Sequence, residues 1–232
     1  MVLDTLHTHI SGQMFGRIGM TPAETVLLGK TVATSQKHLE LGTLWGGTAI
    51  LAALAGAKQV YSLDKMSGGW WADGRDPKVN HPLGTKAVID NLAKFNLQGR
   101  VALVIALSEP FPLTGMVFDT ALVDGGHTLE AVKADWANLH PLVSEAILFH
   151  DYDDLHLGVK QFLDSGQVEA DGWELLEQVD TLRVYLRKIE KEKTLHVEAT
   201  KEPETLPDRG YTDDPTPDAV PTPKSGKSKR TK

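Results

Sequence analysis

The chain of 232 residues contains no cysteine. That absence excludes a disulfide scaffold, a thiolate metal centre and a cysteine nucleophile together. It also lacks an apolar run approaching the roughly 18 residues of a membrane span, and its first residues lack the charged-then-apolar order of a signal peptide. Positive charge is in deficit. There are 24 Lys and Arg against 31 Asp and Glu, for a net charge of −7 and a pI near 5.7. Phosphate attraction requires basic surface, so nucleic acid is not the expected partner. What is present suffices for a packed core, since 41% of residues are apolar and 24% charged, close to globular averages. These features predict a cytoplasmic globular enzyme or binding protein with no membrane partner.

Composition shifts after about Lys188. Six of the 12 prolines (Pro203, Pro207, Pro215, Pro217, Pro221 and Pro223) lie in the last thirty residues, where Tyr211 is the sole aromatic. Such a stretch buries too little apolar surface to offset its ordering entropy. The sequence therefore predicts an N-terminal flap or extension over residues 1–20, a folded domain over 21–189 and a disordered tail rich in proline and charge over 190–232. The tail is acidic through Asp218 and basic from Lys224 to Lys232.

Within the folded part, short aliphatic runs alternate with helix-period segments. Strands are expected at His38–Leu41, Gln59–Leu63, Val101–Leu107, Phe118–Val123 and Ala146–Phe149. A helix is expected from His127 to Val143, because Leu129, Val132, Trp136, Leu139 and Val143 share one stripe. Another is expected over Thr85–Phe95. Thr21-Pro22-Ala23-Glu24 reads as a capping box opening an earlier helix, with proline at the first helical position. This alternation means parallel βαβ units with helices on both faces of the sheet. Near the end, Trp173–Val179 and Leu182–Leu186 are separated by Asp180-Thr181 alone, too short for a crossover, so they must form an antiparallel hairpin.

The first strand-to-helix turn reads Glu40-Leu41-Gly42-Thr43-Leu44-Trp45-Gly46-Gly47-Thr48. Glycines there let backbone approach a ligand, and the following helix offers free N–H donors. A dinucleotide site would require G-x-G-x-x-G for the pyrophosphate, which is not found. The acid Glu40 suits a ligand carrying an ammonium or sulfonium instead. Asp64 ends the next strand, close to the roughly 20-residue offset of a ribose-binding acid.

These residues resemble motif I of the class I S-adenosylmethionine-dependent methyltransferases, and more narrowly methyltransferase family 24, which includes macrocin and other sugar O-methyltransferases. The likeness continues through Tyr61-Ser62-Leu63-Asp64, through the run from Phe118 to Val132 that contains Val123-Asp124-Gly125-Gly126-His127, and through Phe149-His150-Asp151-Tyr152. It spans roughly residues 20 to 187. The resemblance implies a Rossmann-like α/β fold, with a seven-stranded sheet of order 3-2-1-4-5-7-6, the last strand antiparallel, and S-adenosyl-L-methionine over the carboxyl ends of the strands. It implies that Gly42 and Thr43 line the methionine part of the cofactor with Glu40 and Gly46 nearby, that Asp64 takes the ribose hydroxyls and that Ser108 sits against the adenine. Asp124 is expected beside the cofactor. Lys65, directly after the ribose acid, departs from the family.

A second constellation comes from the fourth and fifth strand ends, Asp124 with His127 and His150 with Asp151. Neighbouring parallel strands lie about 4.8 Å apart, so these side chains should converge beside the cofactor. Asp124 could instead cap the helix that follows it. Oxygen ligands from adjacent loops suit Mg²⁺ or Mn²⁺, and an imidazole shifts preference towards Mn²⁺, Fe²⁺ or Zn²⁺. Asp124, His150 and Asp151 are thus candidate ligands of a divalent metal. Related sugar O-methyltransferases resemble this pattern, with an acid at the Asp124 position, an acidic pair at the fifth strand end and a histidine three residues after the first acid as base. His150 stands where a carboxylate would be. His127, with Asp124, is the expected catalytic pair, since imidazole titrates near ~6.5 and can accept a hydroxyl proton at working pH.

The connection from Ser67 to Pro82 carries Trp70 and Trp71, which would act as a lid with stacking faces or pin the loop to the domain. The expected activity is O-methylation of a small-molecule or glycan acceptor. The alternatives are metal-dependent hydroxylase- or hydrolase-like chemistry, or non-catalytic nucleoside binding, on the same fold. The sequence leaves a homo-oligomer open.

Overall fold

A computed structural model of the protein describes residues 2–66, 81–108 and 110–188, with side chains omitted at residues 81–83. The lid expected around Trp70 and Trp71 and the tail expected over 190–232 lie outside the described residues.

The elements follow in the order α1 (Leu3–Ser11), α2 (Pro22–Val32), β1 (Lys37–Leu41), α3 (Gly47–Ala55), β2 (Gln59–Asp64), α4 (His81–Lys94) and β3 (Val101–Ile105). Then come β4 (Phe118–Val123), α5 (Leu129–Leu139), β5 (Val143–Phe149), α6 (Leu157–Asp164), the single turn α7 (Gln167–Ala170), β6 (Trp173–Val179) and β7 (Leu182–Arg187). The strands form a seven-stranded sheet of order β3-β2-β1-β4-β5-β7-β6, as expected. The five strands from β3 to β5 pair in parallel, and β7 runs antiparallel to both β5 and β6. The two-residue connection Asp180-Thr181 dictates that reversal, with Asp180 at φ +48° turning the chain.

Strand alternation explains the two faces. Leu122 of β4 and Leu148 of β5 point to one side, joining a core built from α1, α2, α3 and α4. Their neighbours Ala121, Val123, Ile147 and Phe149 point to the other, packing with Val132, Trp136 and Leu139 of α5 and Val159, Phe162 and Leu163 of α6. Residues 2–20, expected as a flap or extension, form part of the first core. Leu6, Ile10, Met14, Ile18 and Met20 are all buried, and α1 packs on α2 and α3.

Two local expectations are corrected. The predicted helix from His127 to Val143 ends at Leu139, gives way to a 3₁₀ turn over His140–Leu142, and Val143 opens β5. Pro141 supplies the reason, because it lacks the N–H that would continue the helical ladder. Val143 is buried as the stripe required, but on a strand. β3 likewise stops at Ile105, two residues before its expected end.

The topology positions the site. From β1 the chain builds outward to β2 and β3, then returns to lay β4 on the opposite flank of β1. At such a switch point successive connections leave the sheet in opposite directions and open a crevice above the strand ends. α6 closes tightly against the loop after β4. A Cβ on Gly158 would lie 2.3 Å from the His127 carbonyl oxygen and 2.4 Å from the Leu129 nitrogen. Gly158→Ala is therefore expected to cost about 1–3 kcal/mol in urea unfolding. Gly99→Ala, where an added Cβ meets nothing within 4 Å, should leave the midpoint nearly unchanged.

Candidate active site

A cavity of about 740 Å³ occupies that crevice, within the usual range for small-molecule sites. One wall comes from the loops after β1, β2 and β3, namely Gly42, Thr43, Leu44, Asp64, Lys65 and Ser108. The opposite wall carries Asp124, His127, His150, Asp151 and His156. Of the ten site residues expected from the sequence, the structure brings together eight.

The first wall is held by its own acid. Asp64 Oδ2 accepts from the backbone N–H of Thr43 at 2.9 Å and of Leu44 at 3.3 Å, and Oδ1 accepts from Met66 N–H at 2.7 Å. The loop can turn this tightly because Gly42 adopts φ +95°, and any Cβ there would fall 2.0 Å from the Asp124 carbonyl oxygen. Leu41 and Asp124 are further tied by a backbone hydrogen bond of 2.9 Å, so the two halves of the crevice share one backbone junction.

Glu40 and Gly46 are the two expected residues that do not line the cavity. Glu40 alternates with Leu41 along β1 and lies fully buried beneath the turn. Its Oε1 accepts from the Ser62 hydroxyl at 2.6 Å. Burial pushes its carboxyl up to about 8 against the hydrogen bonds to Ser62 and Thr48, so it holds its proton and supports the loop from below. Gly46 caps α3 in a left-handed conformation and faces Val88.

The second wall is a charge cluster. His150 is 6% exposed, and its Nδ1 lies 3.1 Å from Asp124 Oδ1 and 3.2 Å from Asp151 Oδ1. On the other side, Nε2 faces Glu24 Oε2 at 3.5 Å. Burial alone would favour the neutral imidazole, but the bonds to Asp124, Asp151 and Glu24 outweigh it and push His150 up to about 12. Burial works against ionised Glu24 too, yet its bonds to His150, Thr21 and Thr181 bring it down to about 2. Asp151 is held well below the ordinary carboxylate range by His127 and His150 against the opposing effect of burial. Burial raises Asp124 in spite of its bond to His150.

Asp151 reaches these partners from a backbone φ of +61°, an uncommon conformation for a residue with a side chain. Its Oδ2 accepts from His127 Nε2 at 2.9 Å, and this bond raises the His127 pKa over the opposing effect of its partial burial. The His156 ring packs on His127 with centroids 4.5 Å apart. Asp124 does not cap α5. Thr128 does, its hydroxyl accepting from Ala131 N–H.

Three residues escaped the sequence reading. Glu24 was fully accounted for by its capping box, which the structure confirms, so nothing marked its second duty. His156 had no local pattern to single it out. Asp135 did leave a signal, for it is a buried acid on the apolar stripe of α5 beside Val132, Trp136 and Leu139, and it lines the cavity.

The donor atoms of Asp124, His150 and Asp151 lie within 4.8 Å of one another, as do those of His127, Asp151 and His156. In the first set, His150 turns Nε2 to Glu24, which orients the ring, and Nδ1 to Asp124 and Asp151, so these three would hold a divalent cation with Glu24 behind the ring. In the second, His127 Nε2 already donates to Asp151, and His156 Nδ1 sits closer to Asp153 (3.0 Å) than to Asp151 (3.7 Å).

No protein-family model matches the chain, and no curated protein matches it in sequence. Solved structures do resemble it. A Podospora anserina methyltransferase, PaMTH1, solved with S-adenosylhomocysteine, superposes with a TM-score of 0.55 at 14% identity, covering 80% of this chain and 94% of that one. An O-methyltransferase from Bacillus cereus, also with S-adenosylhomocysteine, gives 0.53 at 15% identity over 81% and 90%. TomG of Streptomyces achromogenes, an O-methyltransferase of tomaymycin synthesis solved with S-adenosylmethionine, gives 0.53 at 13% identity over 80% and 87%. The fold is that of the class I S-adenosylmethionine-dependent methyltransferases. Identities this low carry the architecture alone.

Glu24→Gln removes one of three carboxylates around His150 and weakens the bonds to Thr21 and Thr181, while Asp124 and Asp151 remain, and is expected to cost about 1–3 kcal/mol in urea titration. The folded pKa of His150 lies above the unfolded value of about 6.5. Its contribution is therefore complete below that pH and lost as pH rises towards about 12. Wild-type stability should fall from about pH 7 to about pH 10 more steeply than that of His150→Gln.

Proposed function

We propose that the protein is an S-adenosylmethionine-dependent methyltransferase acting on a hydroxyl of a small molecule or sugar. The observation that carries this reading is the pairing, across one crevice, of a wall built from Gly42, Thr43, Asp64 and Ser108 with a carboxylate-oriented histidine. The cavity lining carries Asp64, Asp124, Asp135 and Asp151 beside Arg17 and Lys65, so it offers carboxylates to an ammonium or sulfonium and cations to a carboxylate of the same ligand. When bound, the cofactor supplies an electrophilic methyl group to a neighbouring nucleophile.

Each wall has a distinct task in this reading. Gly42 and Thr43 offer close backbone approach for the methionine portion. Asp64 retains lone pairs beyond those used on the Thr43, Leu44 and Met66 N–H groups, since each carboxylate oxygen accepts more than one hydrogen bond. It serves the ribose hydroxyls while keeping the loop in shape. Ser108 holds the adenine end, its carbonyl steadied by Asn138 Nδ2 at 3.0 Å.

On the acceptor side, Asp151 accepts a hydrogen bond from the Nε2–H of His127, which leaves Nδ1 as the atom to accept a proton from the attacking hydroxyl. An acid that orients a histidine base and fixes its tautomer is a recurrent solution for activating oxygen nucleophiles. Asp124 stands beside this dyad and shapes the floor between donor and acceptor. Holding both partners in contact supplies much of the acceleration in such a displacement.

Two measurements test the assignment. Calorimetric titration should show S-adenosylmethionine binding to the wild type, its loss in Asp64→Ala, and its retention in His127→Ala. Incubating a metabolite extract with methyl-labelled cofactor should label an oxygen-bound methyl group with the wild type, and at least about a hundredfold less with His127→Ala. Full labelling by His127→Ala would remove the base assignment, and saturable NAD binding without S-adenosylmethionine binding would remove the methyltransferase reading.

A further inference from the structure

Glu24 closes the capping box of α2, yet its carboxylate also faces the back of the His150 ring. It is 1% exposed, and both of its oxygens are engaged by donors. Oε2 accepts from Thr21 N–H at 2.8 Å, while Oε1 accepts from the N–H and the hydroxyl of Thr181 at 2.8 and 2.7 Å. The group is thus held as an acceptor on both sides, and Oε2 stands 3.5 Å from His150 Nε2. A carboxylate fixed in that place favours the ring form with its hydrogen on Nε2.

The other nitrogen then has a defined task. In a neutral imidazole, a hydrogen on one nitrogen leaves a lone pair on the other, so Nδ1 is the atom able to ligate. It lies 3.1 Å from Asp124 Oδ1 and 3.2 Å from Asp151 Oδ1, and all three residues line the cavity. Two ligands at right angles, each about 2.1 Å from an octahedral ion, are about 3.0 Å apart. The spacings from Nδ1 are therefore those of neighbouring ligand positions around one cation. An ion there takes the place of the proton that otherwise joins Nδ1 to the two carboxylates.

We propose that Glu24 is the positioning residue of a divalent-cation site, fixing the His150 hydrogen on Nε2 so that Nδ1 joins Asp124 and Asp151 as a ligand. What the ion serves rests on the methyltransferase reading, whereas its binding does not. Because Thr21 and Thr181 hold Glu24 in turn, the site extends to the start of α2 and to the turn between β6 and β7. Carboxylates behind metal-bound histidines commonly change metal affinity by about 10–100-fold. An amide cannot do the same work here. In Glu24→Gln the Thr181 donors take the carbonyl, which turns the NH₂ towards Nε2, draws the lone pair to that nitrogen and moves the ring hydrogen to Nδ1.

Mn²⁺ alone is the probe, added to the full chain without cofactor. Electron paramagnetic resonance titration of the wild type is expected to show one bound ion per chain, with spin-echo modulation from a coordinating nitrogen. Asp124→Asn should lose that ion. Glu24→Gln, checked for folding by circular dichroism, should bind Mn²⁺ about 10–100-fold more weakly and without the nitrogen modulation. If that variant does not fold, Thr181→Val removes one donor behind Glu24 and should weaken binding about threefold. A wild type that leaves Mn²⁺ free overturns the proposal, since a proton alone then joins the three groups. Wild-type affinity in Asp124→Asn overturns it as well, because the ion then sits elsewhere. So does a folded Glu24→Gln protein with unchanged affinity and modulation, or an unchanged Thr181→Val where that variant is the one read. Failure of the methyltransferase reading appears separately, as absent S-adenosylmethionine binding.

Discussion

Three carboxylates converge on one buried imidazole in this protein, and the arrangement links parts of the chain that would otherwise meet only through the sheet. Glu24 brings the amino end of α2, and with it the hairpin turn at Thr181. Asp124 brings the end of β4, and Asp151 brings the loop after β5 together with His127. A second bond, from the Thr21 hydroxyl to Asp180 at 2.7 Å, repeats the link between α2 and the hairpin. The wall of the crevice that carries the candidate base therefore depends on a charge balance centred on His150.

Such a cluster is not an economical way to hold a fold together. Desolvating several charges costs several kcal/mol each, and well-packed apolar side chains would serve stability as well or better. Its value is directional. The ring presents its two nitrogens at fixed geometry, with Asp124 and Asp151 turned to one and Glu24 to the other. Asp151 accepts an unfavourable backbone conformation to take part. Strain and buried charge at one place are common signs of a site kept for function rather than for stability.

The opposite wall follows a different logic. There the turn after β1 is shaped by backbone contacts, since Gly42 leaves room for the Asp124 carbonyl and Asp64 accepts N–H groups from the turn itself. The wall is pre-formed by a neutral glycine and a carboxylate that the loop already satisfies. The two walls meet where Leu41 and Asp124 are bonded, so the spacing between the Gly42 turn and His127 is set by the pairing of β1 with β4.

Much of this architecture is legible in local patterns. The alternation of apolar residues, the two-residue separation before β7 and the Thr21–Glu24 box each state their own geometry, because period, turn length and capping chemistry act over a few residues. The motif spacings likewise mark Gly42, Asp64, Asp124 and His127 as belonging to one edge of the sheet. The stripe that ran through Val143 misled for a local reason as well, since its spacing continued past a proline that the backbone could not follow. What the tertiary structure alone decided is which way the polar groups face and whom they meet. Glu40 turned inward, Glu24 faces a histidine distant in sequence while still closing its capping box, and His150 became the hub of an acidic cluster. No local rule fixes those outcomes, because burial and charge pairing depend on groups distant in sequence that come together only when the sheet has formed.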